Sequence, residues 1–192
     1  CEESSWCWPA HIGSQKVGVN LPDVTDPVPD LGVGEKAAKL AWASYLLKDK
    51  LDSIFPLIRK RISLEVEKRL LQPVLQHSDY HWMGYISKHP NNWNPWITSN
   101  YLACVFLLEN DKTKRIAYVK KAIELLDLFT NAYPDDGGCD EGPSYWDRAA
   151  GSMFDCLDLL SSATNKAFNI YDEPLIKNMA AYLPAMHIAD NR

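Results

Sequence analysis

No stretch of this chain comes near the roughly 18 consecutive apolar residues that a membrane-spanning helix requires, so no membrane span is expected. A basic cluster is also missing. The formal net charge is -5, and sequence-independent nucleic-acid binding needs a dense positive patch to meet phosphate. Nucleic acid is therefore set aside as a partner. The five cysteines, Cys1, Cys7, Cys104, Cys139 and Cys156, form no CxxC pair, which argues against a zinc ribbon. Their odd number leaves at least one unpaired. Cys104 and Cys156 fall inside apolar helical runs and read as buried thiols. Spacing leaves open whether Cys1 and Cys7 bridge in an oxidising compartment. Scarcest of all is the two-residue alternation of apolar and polar residues that marks a half-buried strand. Without it, the chain reads as all-α.

What is present fits that class. A length of 192 residues is enough for one domain with a sizeable core. Seven tryptophans and nine tyrosines are a generous supply. Such rings are large packing units, and they also suit clefts where flat aromatics meet sugar faces. Residues 1–33 are broken by proline and glycine and read as an irregular segment, which Trp6, Trp8 and His11 should hold against the rest. From Glu35 onward the period is helical. "EKAAKLAWASYLLKD" places Leu40, Ala43 and Leu47 on one face, and "LDSIFPLIRKRISLEVEKRLLQ" repeats the pattern through Ile54, Ile58, Ile62, Val66 and Leu70. Pro56 should kink or restart that helix. Four more helical runs follow a Trp- and Asn-rich connection, "YHWMGYISKHPNNWNPW".

The helix starts carry information. Asn94 before Pro95 has the pattern of an N-cap followed by a first helical residue. Gly142-Pro143 and Glu173-Pro174 open later helices in the same way, and Asp111 opens the one between. If successive helices run antiparallel, those starting at Asn94 and Gly142 are parallel next-nearest neighbours with their N-termini at the same end. Asn92, Asn94 and Tyr145 would then share one rim, where helix N-termini favour an anionic ligand.

Two blocks, "NNWNPWITSNYLACVFLLE" and "YPDDGGCDEGPSYWDRAAGSMFDCLDLL", resemble the helical domain of heparinase II/III-like polysaccharide lyases, and "SWCWPAH" and "AAKLAWASYLL" fit the same group. The resemblance covers about residues 5 to 160. It implies an incomplete α/α toroid of antiparallel helix pairs over residues 34–192, with the irregular segment 1–33 packed on it. Relatives carry a β-sandwich after the toroid. None follows here, so the expectation is a fragment of a longer protein, with that sandwich as a missing partner in the same chain. The implied activity is β-elimination of uronate-containing polysaccharide in the bacterial periplasm, at the cell surface or outside, with no cofactor.

The chemistry explains the residue types. Elimination removes the C5 proton beside the uronate carboxylate and expels the glycosidic oxygen at C4. A donor to that carboxylate must offset the charge that develops on it. A tyrosine can then act as base, as acid to the leaving oxygen, or as both. By resemblance Tyr145 is the catalytic tyrosine, and Asn94, or else Asn92, neutralises the carboxylate. Pro95 stands where several relatives have histidine. Asn92, Trp93, Trp96, Trp146, His11 and His89 are the candidate substrate contacts. The plainer readings are a first-turn aromatic for Tyr145, an N-cap for Asn94 and rim packing for the tryptophans. Asp135, Asp136, Asp140 and Glu141 fit no calcium-loop spacing, so no metal site is expected. Two further classes stay open: an α/α-toroid glycoside hydrolase, for which Asp140 and Glu141 supply one of two required carboxylates, and a non-catalytic glycan-binding domain.

Overall fold

Asp30 starts the first helix, and it does so while fully buried. One of its carboxylate oxygens accepts the Val33 amide at 2.8 Å. The other accepts the Trp8 amide at 2.9 Å, the His11 ring at 2.7 Å through Nδ1, and the Cys7 thiol at 3.3 Å. One N-cap side chain thus satisfies an orphan helix amide and fastens the proline-broken segment upstream. A computed structural model describes residues 5–15, 23 and 25–187. Cys1, half of the bridge that spacing left open, lies outside them.

Among the described residues the chain is all helical, with eight α-helices and no strand. They are α1 (Leu31–Leu46), α2 (Lys48–Ile54), α3 (Leu57–Val66), α4 (Gln72–Gln76), α5 (Trp93–Leu108), α6 (Lys112–Ala132), α7 (Ser152–Ala163) and α8 (Pro174–Met186). Short 3₁₀ turns span Pro9–Ser14 and Pro143–Tyr145, and π turns span Glu67–Leu71 and Asp147–Gly151. The chain divides into two compact units, Cys1–Tyr80 with Asn100–Ile123, and His81–Ser99 with Glu124–Arg192.

In the first unit α1 packs against α3, with α2 joining them. The restart expected at Pro56 is present. Phe55, at φ -163° and ψ 118°, is held extended as a residue before proline tends to be, and α3 begins just beyond. Pro73 has no amide to donate and crowds the carbonyl four residues back, and the ladder widens into the π turn immediately before α4. The turn brings Glu67 against α6. Its carboxylate accepts the Tyr118 hydroxyl at 2.8 Å, the Gln72 amide at 2.8 Å and Lys114 at 3.1 Å. Val66, Leu70 and Val74 are fully buried beside it. In the second unit the core is built from Trp82, Met83, Ile97, Met153, Cys156 and Met179, all buried. Cys104 and Cys156 are buried thiols, as their apolar runs indicate.

Four expectations need correction. Helix α1 begins at Leu31, not Glu35, because Asp30 supplies the cap. Its buried face is Ala37, Ala41 and Ser44, whereas Leu47 is exposed. Small residues let the helix approach its neighbours closely, and period alone does not choose between two apolar stripes. Asn94 is not an N-cap, since α5 is already under way at Trp93 and the Trp96 amide donates to the Asn92 carbonyl. The run from Gly142 is not one α-helix but a 3₁₀ turn, a π turn and then α7. The starts at Asp111 and Glu173 stand as read, with Asp111 Oδ1 accepting the Lys114 amide at 2.9 Å.

Two outcomes follow from the buried carboxylates. Asp30→Ala strips one acceptor from four donors and should lower unfolding free energy by about 2–3 kcal/mol, measured by urea denaturation. For Glu67, burial would raise its pKa, but Gln72, Tyr118 and Lys114 outweigh it and hold it below the usual glutamate value. A depressed pKa adds stability that is present above the unfolded glutamate range and is lost as pH falls through the folded value. Glu67→Gln should therefore lower stability at pH 7 and flatten its decline below pH 4.5 (roughly the unperturbed value).

Candidate functional site

The loop from Pro134 to Gly142 is shaped by two glycines that need conformations other residues avoid. Gly137, at φ +77°, lies so close to α8 that a Cβ there would sit 2.2 Å from the Asn178 carbonyl carbon. The Asn178 side chain donates to the Asp135 carbonyl at 2.8 Å and closes the same contact. Gly142, at φ +83° and ψ 178°, occupies a region open essentially only to glycine. It turns the chain into the Pro143–Tyr145 segment, which packs on α8. Trp146 then donates its Nε1 hydrogen to the Met179 carbonyl at 2.9 Å. That ring also lies against Phe154 at 6.1 Å, so Trp146 packs this segment down instead of standing free for a sugar.

Held this way, the loop reaches the start of α5. Glu141 Oε2 accepts the Asn92 Nδ2 hydrogen at 2.5 Å. Both residues line a cavity of about 170 Å³ together with His89, Tyr133, Cys139 and Asp140. The Tyr133 hydroxyl is buried against Cys139, and burial, followed by that sulfur, raises its pKa. Tyr133 therefore stays protonated, with a hydrogen to donate and an oxygen that can accept. A few residues beyond the loop, the Arg148 guanidinium lies 4.3 Å from the centroid of the Trp96 ring. Among the described residues its one carboxylate partner is the exposed neighbour Asp147, at 3.3 Å.

The structure thus brings Asn92, His89 and Glu141 to one cavity, and Trp96 to Arg148. Tyr145 is 49% exposed, with its amide on the Gly142 carbonyl at 3.1 Å, and its hydroxyl bonds to neither Asn92 nor Asn94 among the described residues. Trp93 meets the His81 ring edge-on at 5.0 Å. Asn94 is fully buried, and its Nδ2 donates to the Met83 carbonyl at 3.0 Å. Its Oδ1 has no partner among the described residues, and neither amide atom faces solvent. His11 belongs to the first unit, tied to Asp30 and lying 5.3 Å from the Trp8 ring. Among the described residues, no group of three or more His, Cys, Asp or Glu side chains is placed to hold a metal ion.

Sequence reasoning missed Arg148 and Tyr133 as site residues. Arg148 had a readable signal, since it follows Tyr145 by three positions and such residues share a helical face. The ring it stacks on lies far away in sequence and left no local trace. No protein-family model matches the chain, and no characterised protein matches its sequence.

The glycine geometry can be tested directly. Gly137→Ala adds both overpacking and a disfavoured φ, and should cost about 2–3 kcal/mol. Gly142→Ala meets no atom within 4 Å and should lose only the conformational part, about 1–2 kcal/mol. Thermal denaturation of the two variants reads the difference.

Proposed function

We propose that the second unit binds uronate-containing polysaccharide and cleaves it by β-elimination, as part of an α/α toroid of the lyase type that the two sequence blocks resemble. The observation that carries this reading is the bond from the Asn92 amide to the Glu141 carboxylate. Asn92 is 5% exposed, yet it lines the cavity and already holds a carboxylate there. A substrate uronate that displaced Glu141 would find the same donor. Of the two asparagines, Asn92 is thus the better carboxylate neutraliser, because Asn94 is fully buried on the Met83 carbonyl and does not line the cavity.

In this reading the Arg148 guanidinium, stacked on Trp96 and paired with an exposed carboxylate, supplies the positive charge that a uronate requires. Withdrawal of the C5 proton sends its electron pair into a C4–C5 double bond. The C4–O bond breaks, and the departing oxygen takes up a proton. Tyr145, half-exposed at the end of its 3₁₀ turn, is the residue proposed to move these protons. Donors to the carboxylate stabilise the charge that accumulates before the bond breaks, an effect worth a few kcal/mol per donor (about 3–4 where single donors have been removed). His89 and Trp96 complete the proposed substrate contacts. The expected setting remains the bacterial envelope or exterior.

A second reading rests on the same cavity, which carries Asp140 and Glu141 side by side. A glycoside hydrolase needs two carboxylates flanking the bond, of which Asp140 and Glu141 would supply one. Mass spectrometry of products from a panel of uronate polysaccharides separates the readings. Elimination yields fragments lighter by one water than hydrolysis does. Tyr145→Phe should reduce their formation by at least about 100-fold, with the thermal transition unchanged. Arg148→Ala should raise KM more than it lowers kcat. Fragments that carry the added water would overturn the lyase reading in favour of the carboxylates. Retention of the polymer without cleavage would assign the unit to glycan binding.

A further inference from the structure

The first unit carries apolar side chains that it leaves uncovered. Leu47, just before α2, and Ile54, at its end, are 46% and 73% exposed, with the half-buried Leu51 between them at helical spacing. Phe55 and Leu57, on either side of Pro56, are each 54% exposed. Together with Ile58, Ile62 and Leu64 they border a groove of about 630 Å³. Trp42 and Tyr45, near the end of α1, are exposed as an edge-to-face pair at 6.2 Å. Burying such residues in a core is the usual outcome, and a continuous exposed group of them marks an interaction surface.

The charges around this face point to the kind of partner. Two acids lie between Trp42 and Leu64. Asp52 is bound to Arg59 at 2.9 Å, leaving only Asp49. Just beyond, Glu65 is shared at 2.7 Å by Arg61 and Arg69. Lys48, Lys50 and Lys60 are exposed and have no carboxylate partner among the described residues. A second copy seated on the same face would set these lysines against one another. The net charge of -5 is no obstacle to an acidic surface, because beyond about 8 Å salt screens the rest of the molecule and the near face decides.

We propose that this α1–α3 face docks on an anionic phospholipid surface. Ile54, Phe55 and Leu57 enter the boundary between headgroups and acyl chains, and Lys48, Lys50 and Lys60 meet the headgroup phosphates. Exposed aliphatic and aromatic side chains beside lysines form the pattern of an interfacial, non-spanning attachment. Long lysine stems allow the ammonium groups to stay in the headgroup layer while their carbons lie along the apolar residues. The face is distinct from the proposed saccharide cavity, whose lining belongs wholly to the second unit.

Co-sedimentation of the 192-residue protein with vesicles tests this. Vesicles of mixed phosphatidylglycerol and phosphatidylcholine should bind it at least about tenfold more tightly than phosphatidylcholine alone, and added salt should weaken the binding. The double change F55S/L57S, at exposed positions, should lower affinity by a similar factor with unaltered circular dichroism, and K60E should act in the same direction. Protein that ignores both kinds of vesicle, or that binds them equally, overturns the proposal. So does a dimer, seen by light scattering, that disperses on F55S/L57S, since it would give the face to a second copy.

Discussion

At Gly137 the loop backbone approaches the backbone of Asn178 within the distance that any side chain would need. Close backbone contact of this kind is stiff, because no rotamer can yield to relieve it. It fixes where the loop after α6 rests on α8 and so where Cys139, Asp140 and Glu141 can lie. Those residues in turn wall the cavity and meet Asn92. The cavity is therefore organised by a main-chain constraint, and its polar side chains occupy positions that the constraint has already chosen. A site built on a loop gains precision this way without being carried on a helix.

Buried carboxylates organise the first unit differently. Asp30 gathers a thiol, an imidazole and two amides. A cysteine, a histidine and an aspartate in contact resemble nucleophilic machinery, but the electrostatics run the other way. Burial, and then the neighbouring Asp30, push the Cys7 thiol up to about 12, so it donates a hydrogen and does not attack. His11 serves the same anchorage, with its Nδ1 on the carboxylate. The cluster is a fastening for an irregular segment that could not hold itself by backbone hydrogen bonds.

Helical class was legible because period and helix starts act locally. Asp111 and Glu173-Pro174 announce their helices, and Pro56 announces its break, through interactions within a few residues. Asn94 shows the limit of that locality. Asparagine before proline has the look of a cap, but the Met83 carbonyl captures its amide, and the choice between the two depends on packing from another part of the chain. For the site, the sequence marked Asn92 and Glu141 separately and left their contact unseen. Arg148 escaped because its stacking partner Trp96 is distant in sequence. Pairings across tens of residues are set by tertiary packing, and one sequence alone carries no trace of them.

The two π turns have a consequence for which changes the chain can absorb. In the second, the Gly151 amide reaches the carbonyl of Trp146, five residues back, so the turn holds one residue more than an α-helix would. Each residue advances a helix by about 100°. The angle between Tyr145 and Arg148 on one side and the buried stripe of α7 on the other is thus kept by chain length as well as by side-chain identity. Point substitutions leave that phase intact, whereas loss of a single residue between Asp147 and Gly151 would turn one face away from the other. Such a stretch tolerates variation in its letters and resists variation in their number.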